Sequence, residues 1–163
     1  MHESRRGQGP YLHQISVSAG GLPKLPVPEA RITVDGVEGD AHRNLKLHGG
    51  PARAVCLYSL DRIEALRAEG HPIQPGFAGE NFTIAGLDWP HLAPGDRVTV
   101  GDVELEITSY TDPCKLNCEW FADGRYERIG QAQYPGWSRL YARVLREGRV
   151  RTGDPVRIEQ PGR

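Results

Sequence analysis

The feature that most limits what this chain can fold into is how often glycine or proline interrupts it. Twenty glycines and 13 prolines are spread along 163 residues, and the longest run free of both is the 18 residues from Ala52 to Glu69. Both residue types disfavour the interiors of helices and strands. Even that run carries Arg53, Asp61, Arg62, Glu64 and Arg67, so it cannot cross a bilayer as an apolar helix. Heptads cannot persist through such punctuation, and the glycines show no period of three, which excludes a coiled coil and a collagen-like chain. The expectation is a single domain of short strands joined by turns, since ~150 residues is an ordinary domain.

Charge narrows the function classes. Twenty basic and 21 acidic residues leave a net charge of −1, so there is no general basic field for nucleic acid and no polybasic patch for a membrane. Cys56, Cys114 and Cys118 are too few, and odd in number, for a disulfide scaffold. Ser4-Arg5-Arg6 lacks the apolar stretch of an export signal. The reading is a cytoplasmic protein with reduced thiols that binds neither nucleic acid nor membrane. Residues 1–11 form an exposed tail, 12–159 the domain and 160–163 a short C-terminal tail; no oligomeric state follows.

Alternating and β-branched segments mark the strands. Leu12 to Ala19, Arg31 to Val34, Arg53 to Tyr58 and Glu80 to Ile84 each read as one, bounded by glycine or proline. The strongest signal runs from Arg97 to Tyr110: Val98 and Val100, then Gly101-Asp102, then Val103, Leu105 and Ile107 alternating with Glu104 and Glu106. That is a hairpin with a two-residue turn and one wet face. Leu140 to Leu145 and Val156 to Ile158 complete about eight strands. Ser59 or Asp61 can cap a helix presenting Leu60, Ile63 and Leu66, with Gly70 as its stop. A short helix after Pro113 and a polar one over Asp123 to Gln133 are expected as well. Leu22 to Pro28 and Gly36 to Pro51 read as loops. With no βαβ rhythm and no repeat, the fold class is mainly β, a closed or partly open antiparallel β-barrel with two or three short helices in its connections.

Two segments concentrate reactive side chains. In Gly39 to Pro51, Asp40, His42 and His48 accompany Gly49-Gly50, whose backbone N–H groups can cradle an anion. The same residues also suit a turn-rich loop that satisfies its own backbone, and His-x5-His alone is a thin basis for zinc. In Asp112 to Cys118, Pro113 ends the preceding strand and places Cys114 where a helix begins, a position that favours the thiolate. Cys114 and Cys118 equally suit buried packing, or a pair on one helical face; Cys56 belongs to the core. Phosphate-loop, dinucleotide, nucleophile-elbow and zincin motifs are absent.

The order of short motifs is distinctive: Gly20-Gly21-Leu22-Pro23-Lys24, Gly39-Asp40-Ala41-His42, His48-Gly49-Gly50-Pro51, Gly79-Glu80-Asn81-Phe82-Thr83, Pro94-Gly95-Asp96-Arg97-Val98, Pro113-Cys114-Lys115, Gly136-Trp137-Ser138-Arg139 and Gly153-Asp154-Pro155-Val156. From about residue 12 to 158 the chain resembles the MOSC domain family, named for the C-terminal part of molybdenum cofactor sulfurase. The resemblance implies a pyruvate-kinase-type β-barrel and binding of the molybdenum cofactor (molybdopterin), a pterin dithiolene phosphate. Cys114 matches the family's characteristic cysteine, which ligates molybdenum in the amidoxime-reducing branch and is thought to carry sulfur in the sulfurase branch. Lys24 matches a family lysine near the cofactor. Asp40, His42, Arg43, His48, Gly49, Gly50, Asn81, Lys115 and Arg139 are the further cofactor-binding candidates. The implied activity is two-electron reduction of a small N-hydroxylated substrate at a Cys114-ligated molybdenum. The alternatives are a persulfide carrier acting through Cys114 and a non-catalytic cofactor carrier. The chain carries neither the amidoxime reductases' separate N-terminal domain nor a ferredoxin-like extension, so a reductase of this kind needs a separate electron-donor protein.

Overall fold

A computed structural model describes residues 9–41 and 50–161. Among them eleven strands form two sheets. The strands and the α-helix begin in the order β1 (Tyr11–Val17), β2 (Leu25–Val27), β3 (Glu29–Thr33), β4 (Gly36–Val37), β5 (Val55–Ser59), α1 (Leu60–Ala68), β6 (Phe82–Ala85) and β7 (Arg97–Val100). They are followed by β8 (Val103–Tyr110), β9 (Leu140–Arg146), β10 (Gly148–Arg151) and β11 (Val156–Glu159). Eight strands pair in the order β11-β7-β8-β9-β5-β6-β1-β2, and β10-β3-β4 form a smaller sheet.

The β7–β8 hairpin has the expected register, with Val100 opposite Val103 and Val98 opposite Leu105. Among its turn residues only Gly101 has a positive φ, 56°, the pattern of a II′ turn with glycine first. Val103, Leu105 and Ile107 are buried while Glu104 and Glu106 are half-exposed, so one face of β8 packs and the other stays wet. In contrast, every residue of β5 and β6 is buried. These central strands carry apolar side chains on both faces, including Leu57, Tyr58, Phe82 and Ile84.

Three expectations are corrected. The eight-stranded sheet is not closed into a barrel. Its β1 and β11 sides meet at an isolated bridge between Tyr11 and Pro155, flanked by Leu12 N–H to Asp154 O (2.9 Å), Gly153 N–H to Leu12 O (2.7 Å) and Val156 N–H to Pro10 O (3.1 Å). Pro10 and Pro155 supply no N–H, which stops a ladder from extending there. The sheet is also not wholly antiparallel: β5 and β6 run parallel, joined by α1 and the long return through residues 69–81. Finally, the segments after Pro113 are 3-10 turns at Lys115–Trp120, Ala122–Gly124 and Tyr126–Ile129, not α-helices. With three residues per turn, positions i and i+4 do not share a face, and Cys114 stands outside the first of them in extended conformation (φ −117°, ψ 133°). The proposed one-face pairing of Cys114 with Cys118 is therefore lost. The strands β2, β4 and β10 lay outside the expected set.

Of the two possible caps for α1, Ser59 is used. Its Oγ accepts the Arg62 N–H at 3.1 Å, while Asp61 instead accepts the Gly86 N–H at 3.0 Å. Ser59→Ala should cost about 1 kcal/mol, lowering the Tm by about 2–4 °C; a thermal melt followed by circular dichroism checks this, and an unchanged Tm contradicts it.

Among the described residues no helix is long and apolar enough to cross a membrane.

Candidate functional site

One end of the large sheet carries the site. There β1 finishes while β5 and β6 begin, and β9 runs antiparallel beside β5 with Tyr141 opposite Cys56. The segments around it line an open pocket whose empty space, up to the solvent at its mouth, is about 680 Å³. Gly21, Leu22 and Lys24 come from the turn after β1, and Ala78, Gly79 and Asn81 precede β6. Cys56 and Tyr141 stand on β5 and β9. Arg53, Ala41, Cys114, Leu116, Asn117 and Arg139 complete the wall.

Asn81 holds the strands together at the cavity's edge. Its Oδ1 accepts the Cys56 N–H (3.0 Å), and its Nδ2 donates to Ser16 O (3.2 Å) and Asp40 Oδ2 (2.9 Å). Its main chain bridges the same two strands, donating to Cys56 O and accepting from Ser16 N–H, each at 2.8 Å. Asp40 also accepts the Ser18 N–H (3.0 Å) and the Lys24 ammonium, whose Nζ lies 2.7 Å from both carboxylate oxygens. Lys24 thus borders the cavity with its charge matched by Asp40, which is not itself in the lining. Gly76 lets the chain pass this close: a Cβ there would stand 2.5 Å from Lys24 O, at a φ of +86°.

Arg139 brings a buried charge to the cavity wall. Its Nη1 donates to Ala78 O (2.8 Å) and its Nη2 to Asp112 O (2.9 Å), while its buried Nε has no partner. No carboxylate among the described residues forms an ion pair with it. Two fixed carbonyls orient the guanidinium without neutralising it, a cost of several kcal/mol for a buried cation that an anionic ligand would offset. At an effective dielectric constant near 20, a unit anion ~4 Å away gains about 4 kcal/mol.

Glu80 lies nearby and is fully buried. Its Oε2 accepts from Gly76 N–H (2.9 Å) and Thr83 Oγ1 (2.8 Å), and its Oε1 has no partner. Burial pushes the carboxyl's pKa up, against the hydrogen bonds from Gly76 and Thr83 and the charge of Arg139. The folded chain therefore binds this proton more tightly than the unfolded chain does. Stability from this group is present below the ordinary glutamate pKa of about 4.3 and is lost as pH rises from there toward the raised value. Glu80→Gln removes that slope, and chemical denaturation from pH 4 to pH 8 should show a flatter stability profile than wild type. A parallel profile would place the proton elsewhere.

Cys114 is half-buried and makes no capping hydrogen bond. Cys56, assigned to the core, is buried yet borders the same cavity, and burial raises its thiol pKa. Burial likewise holds the Tyr141 phenol up at about 12, so it stays a neutral donor. The Arg53 guanidinium stands over the Tyr141 ring, 5.3 Å from its centroid. Asn117 is buried with neither Oδ1 nor Nδ2 partnered.

Of the residues expected from sequence, the cavity brings together Lys24, Asn81, Cys114 and Arg139, with Asp40 bound to Lys24. Lys115 is exposed and outside the lining, as is Gly50. His42, Arg43, His48 and Gly49 lie outside the described residues. Among those described, no three His, Cys, Asp or Glu side chains gather as a metal-binding group, so protein carboxylates and imidazoles there make no metal cage around Cys114.

A family model of the MOSC domain matches residues 44–157. The chain belongs to the MOSC domain family. It is 31% identical over 144 residues to the Bacillus subtilis (strain 168) "Uncharacterized protein YflK", an alignment covering 87% of this chain and 64% of that protein. It is 30% identical over 137 residues to "Protein YiiM" of Escherichia coli (strain K12), covering 80% and 59%. The chain thus spans about three-fifths of the length of these curated relatives. In fold, this MOSC protein is similar to the crystal structure of YiiM from Geobacillus stearothermophilus (TM-score 0.72, 23% identity, covering 94% of this chain and 76% of that one). It also resembles the YUAD protein from Bacillus subtilis (TM-score 0.71, 19% identity, covering 91% and 94%). MOSC domains are associated with the molybdenum cofactor.

Proposed function

We propose that this cavity takes the molybdenum cofactor, with Cys114 as the protein ligand to the metal, and that the protein reduces N-hydroxylated compounds. The observation that carries the reading is the donor set of one space. A half-buried thiol shares the wall with a buried guanidinium and an unpaired buried amide. A soft thiolate suits a sulfur-rich metal centre, and Arg139 suits the cofactor's anionic groups. The residues present therefore fit the group.

When bound, the cofactor supplies a centre that exchanges two electrons and polarises a substrate oxygen. The chain's part is to hold and orient. Cys114, half-buried in the cavity wall beside Pro113, would hold the metal. Arg139, pinned by Ala78 O and Asp112 O, sets the local positive potential. The Tyr141 phenol, held neutral by burial, is available to donate one hydrogen bond to a bound ligand. The overall conversion takes an N-hydroxyl compound, two electrons and two protons to the amine or amidine and water. The N–O bond breaks, the electrons come from a separate electron-donor protein, and the protons come from solvent.

The test is reduction of benzamidoxime and of a hydroxylamine by cofactor-loaded protein with a chemical electron donor. Turnover of either supports a reductase. Retained molybdenum with no turnover of either supports a cofactor carrier, and cyanide-labile sulfur lost in Cys114→Ser supports sulfur transfer instead.

A further inference from the structure

We infer that Asn117 is a ligand-reading residue: its side-chain amide pairs with a planar ligand edge that sets a hydrogen-bond acceptor beside a donor. The inference rests on the proposed function and assigns a role within that cavity. Asn117 is 1% exposed, yet neither of its amide atoms has a partner, and it borders the cavity together with Cys114, Asn81 and Arg139. The two buried asparagines of this wall differ sharply. Asn81 uses both ends of its amide to join strands, whereas Asn117 joins nothing.

Nor does the local backbone need the Asn117 side chain. The turn that contains it is closed by its own main chain, Asn117 N–H to Cys114 O at 2.8 Å, and no side chain caps that turn. A buried amide without partners destabilises the protein that carries it. No hydrogen bond among the described residues offsets this cost, but a ligand can. Arg139, whose buried Nε likewise has no partner, borders the same cavity.

An asparagine amide reads an acceptor beside a donor through two parallel hydrogen bonds, as it does on the edge of adenine. Two ligands of the proposed reaction share that chemistry: the pterin ring of the cofactor, and an N-hydroxylated amidine. Which one Asn117 meets is settled by the arms of one experiment.

The variant is Asn117→Leu, close in size and without polar atoms, with Asn117→Asp as a second variant that keeps the shape and replaces the donor. Protein made in a host lacking the pterin pathway is melted first. If the amide serves a ligand, Asn117→Leu melts at or above the wild-type temperature, because an unpaired buried group has been removed. A Tm lowered by more than about 5 °C makes the amide structural and overturns the inference. Should Asn117→Leu fail to fold while Asn117→Asp folds and loads as wild type does, the inference is likewise overturned.

Protein from a pterin-making host is then assayed for pterin per chain. A loss of about tenfold in either variant assigns the cofactor edge to Asn117. Unchanged pterin with a KM for benzamidoxime raised about tenfold, at constant kcat, assigns the substrate edge. Unchanged pterin with unchanged KM overturns the inference while leaving the functional reading intact. Wild-type protein that carries no pterin removes the functional reading, and this inference falls with it.

Discussion

Asn81→Leu is expected to lower the melting temperature by about 10 °C or more, the largest stability loss of any substitution in the cavity wall. The side chain is nearly fully buried and engages three groups: the Cys56 N–H, Ser16 O and Asp40 Oδ2. Removing it strands the first two in the interior and weakens the anchoring of the third. Each unmet buried group costs about 1–3 kcal/mol, so the sum is about 3–5 kcal/mol, a large share of a typical total stability of 5–15 kcal/mol. Local loosening follows, because Asp40 holds the Lys24 ammonium and the Ser18 N–H. Asn81→Asp keeps the acceptor for Cys56 N–H but sets a second carboxylate against Asp40, so it should destabilise as well. A thermal melt reads both variants. A Tm within 2–3 °C of wild type for Asn81→Leu would show that the strands are registered without this amide.

Cys114→Ser is expected to do the reverse, leaving the fold intact and removing function. Cys114 is half-buried, caps nothing through its side chain and stands in ordinary extended backbone. Serine fits that position, so the Tm should stay within about 2 °C. The hydroxyl is a hard and weakly acidic ligand where the reading requires a soft thiolate. Substitutions one shell further from a metal already cost 10–100-fold in affinity or activity. Loss of the ligand itself should lower benzamidoxime reduction at least about 100-fold. Activity within a few-fold of wild type would remove Cys114 from the chemistry.

How far the sequence carried these conclusions depends on where the decisive signal lies. The β7–β8 hairpin was fully legible, because Val98 to Ile107 alternate at period two around a glycine-containing turn. The cap at Ser59 was legible as one of two options; only the fold shows that Asp61 is occupied by the Gly86 N–H. β2 was not legible: Leu25-Pro26-Val27 is three residues with a central proline, a strand permitted only because it lies at the sheet edge. The parallel pairing of β5 with β6 was hidden by the long return through residues 69–81, which carries no second strand to announce a crossover. The short helices expected after Pro113 are 3-10 turns, and Leu116 in the first of them remains exposed.

The candidate site divides in the same way. Family resemblance located Lys24, Asn81, Cys114 and Arg139 on four separate segments, and the sheet's ends bring them to one cavity. It did not distinguish their electrostatic states. Lys24 and Arg139 are both cations in a motif, but one has Asp40 at 2.7 Å and the other has only carbonyl partners. Asn117 and Tyr141 were missed. An asparagine after Pro113-Cys114-Lys115-Leu116 reads as an ordinary turn residue, and its significance lies in burial without partners, which no spacing encodes. Gly76 was missed too, since the close approach of Lys24 O is a long-range contact.

The proposed function stands or falls on Cys114 tying a molybdenum-bearing group to this cavity. Its most direct test is molybdenum analysis of wild-type and Cys114→Ala protein purified side by side from a host that makes the cofactor. The prediction is about one molybdenum per chain in the wild type and less than about a tenth of that in the variant. Full retention of molybdenum by Cys114→Ala, or wild-type protein without the metal, would contradict it.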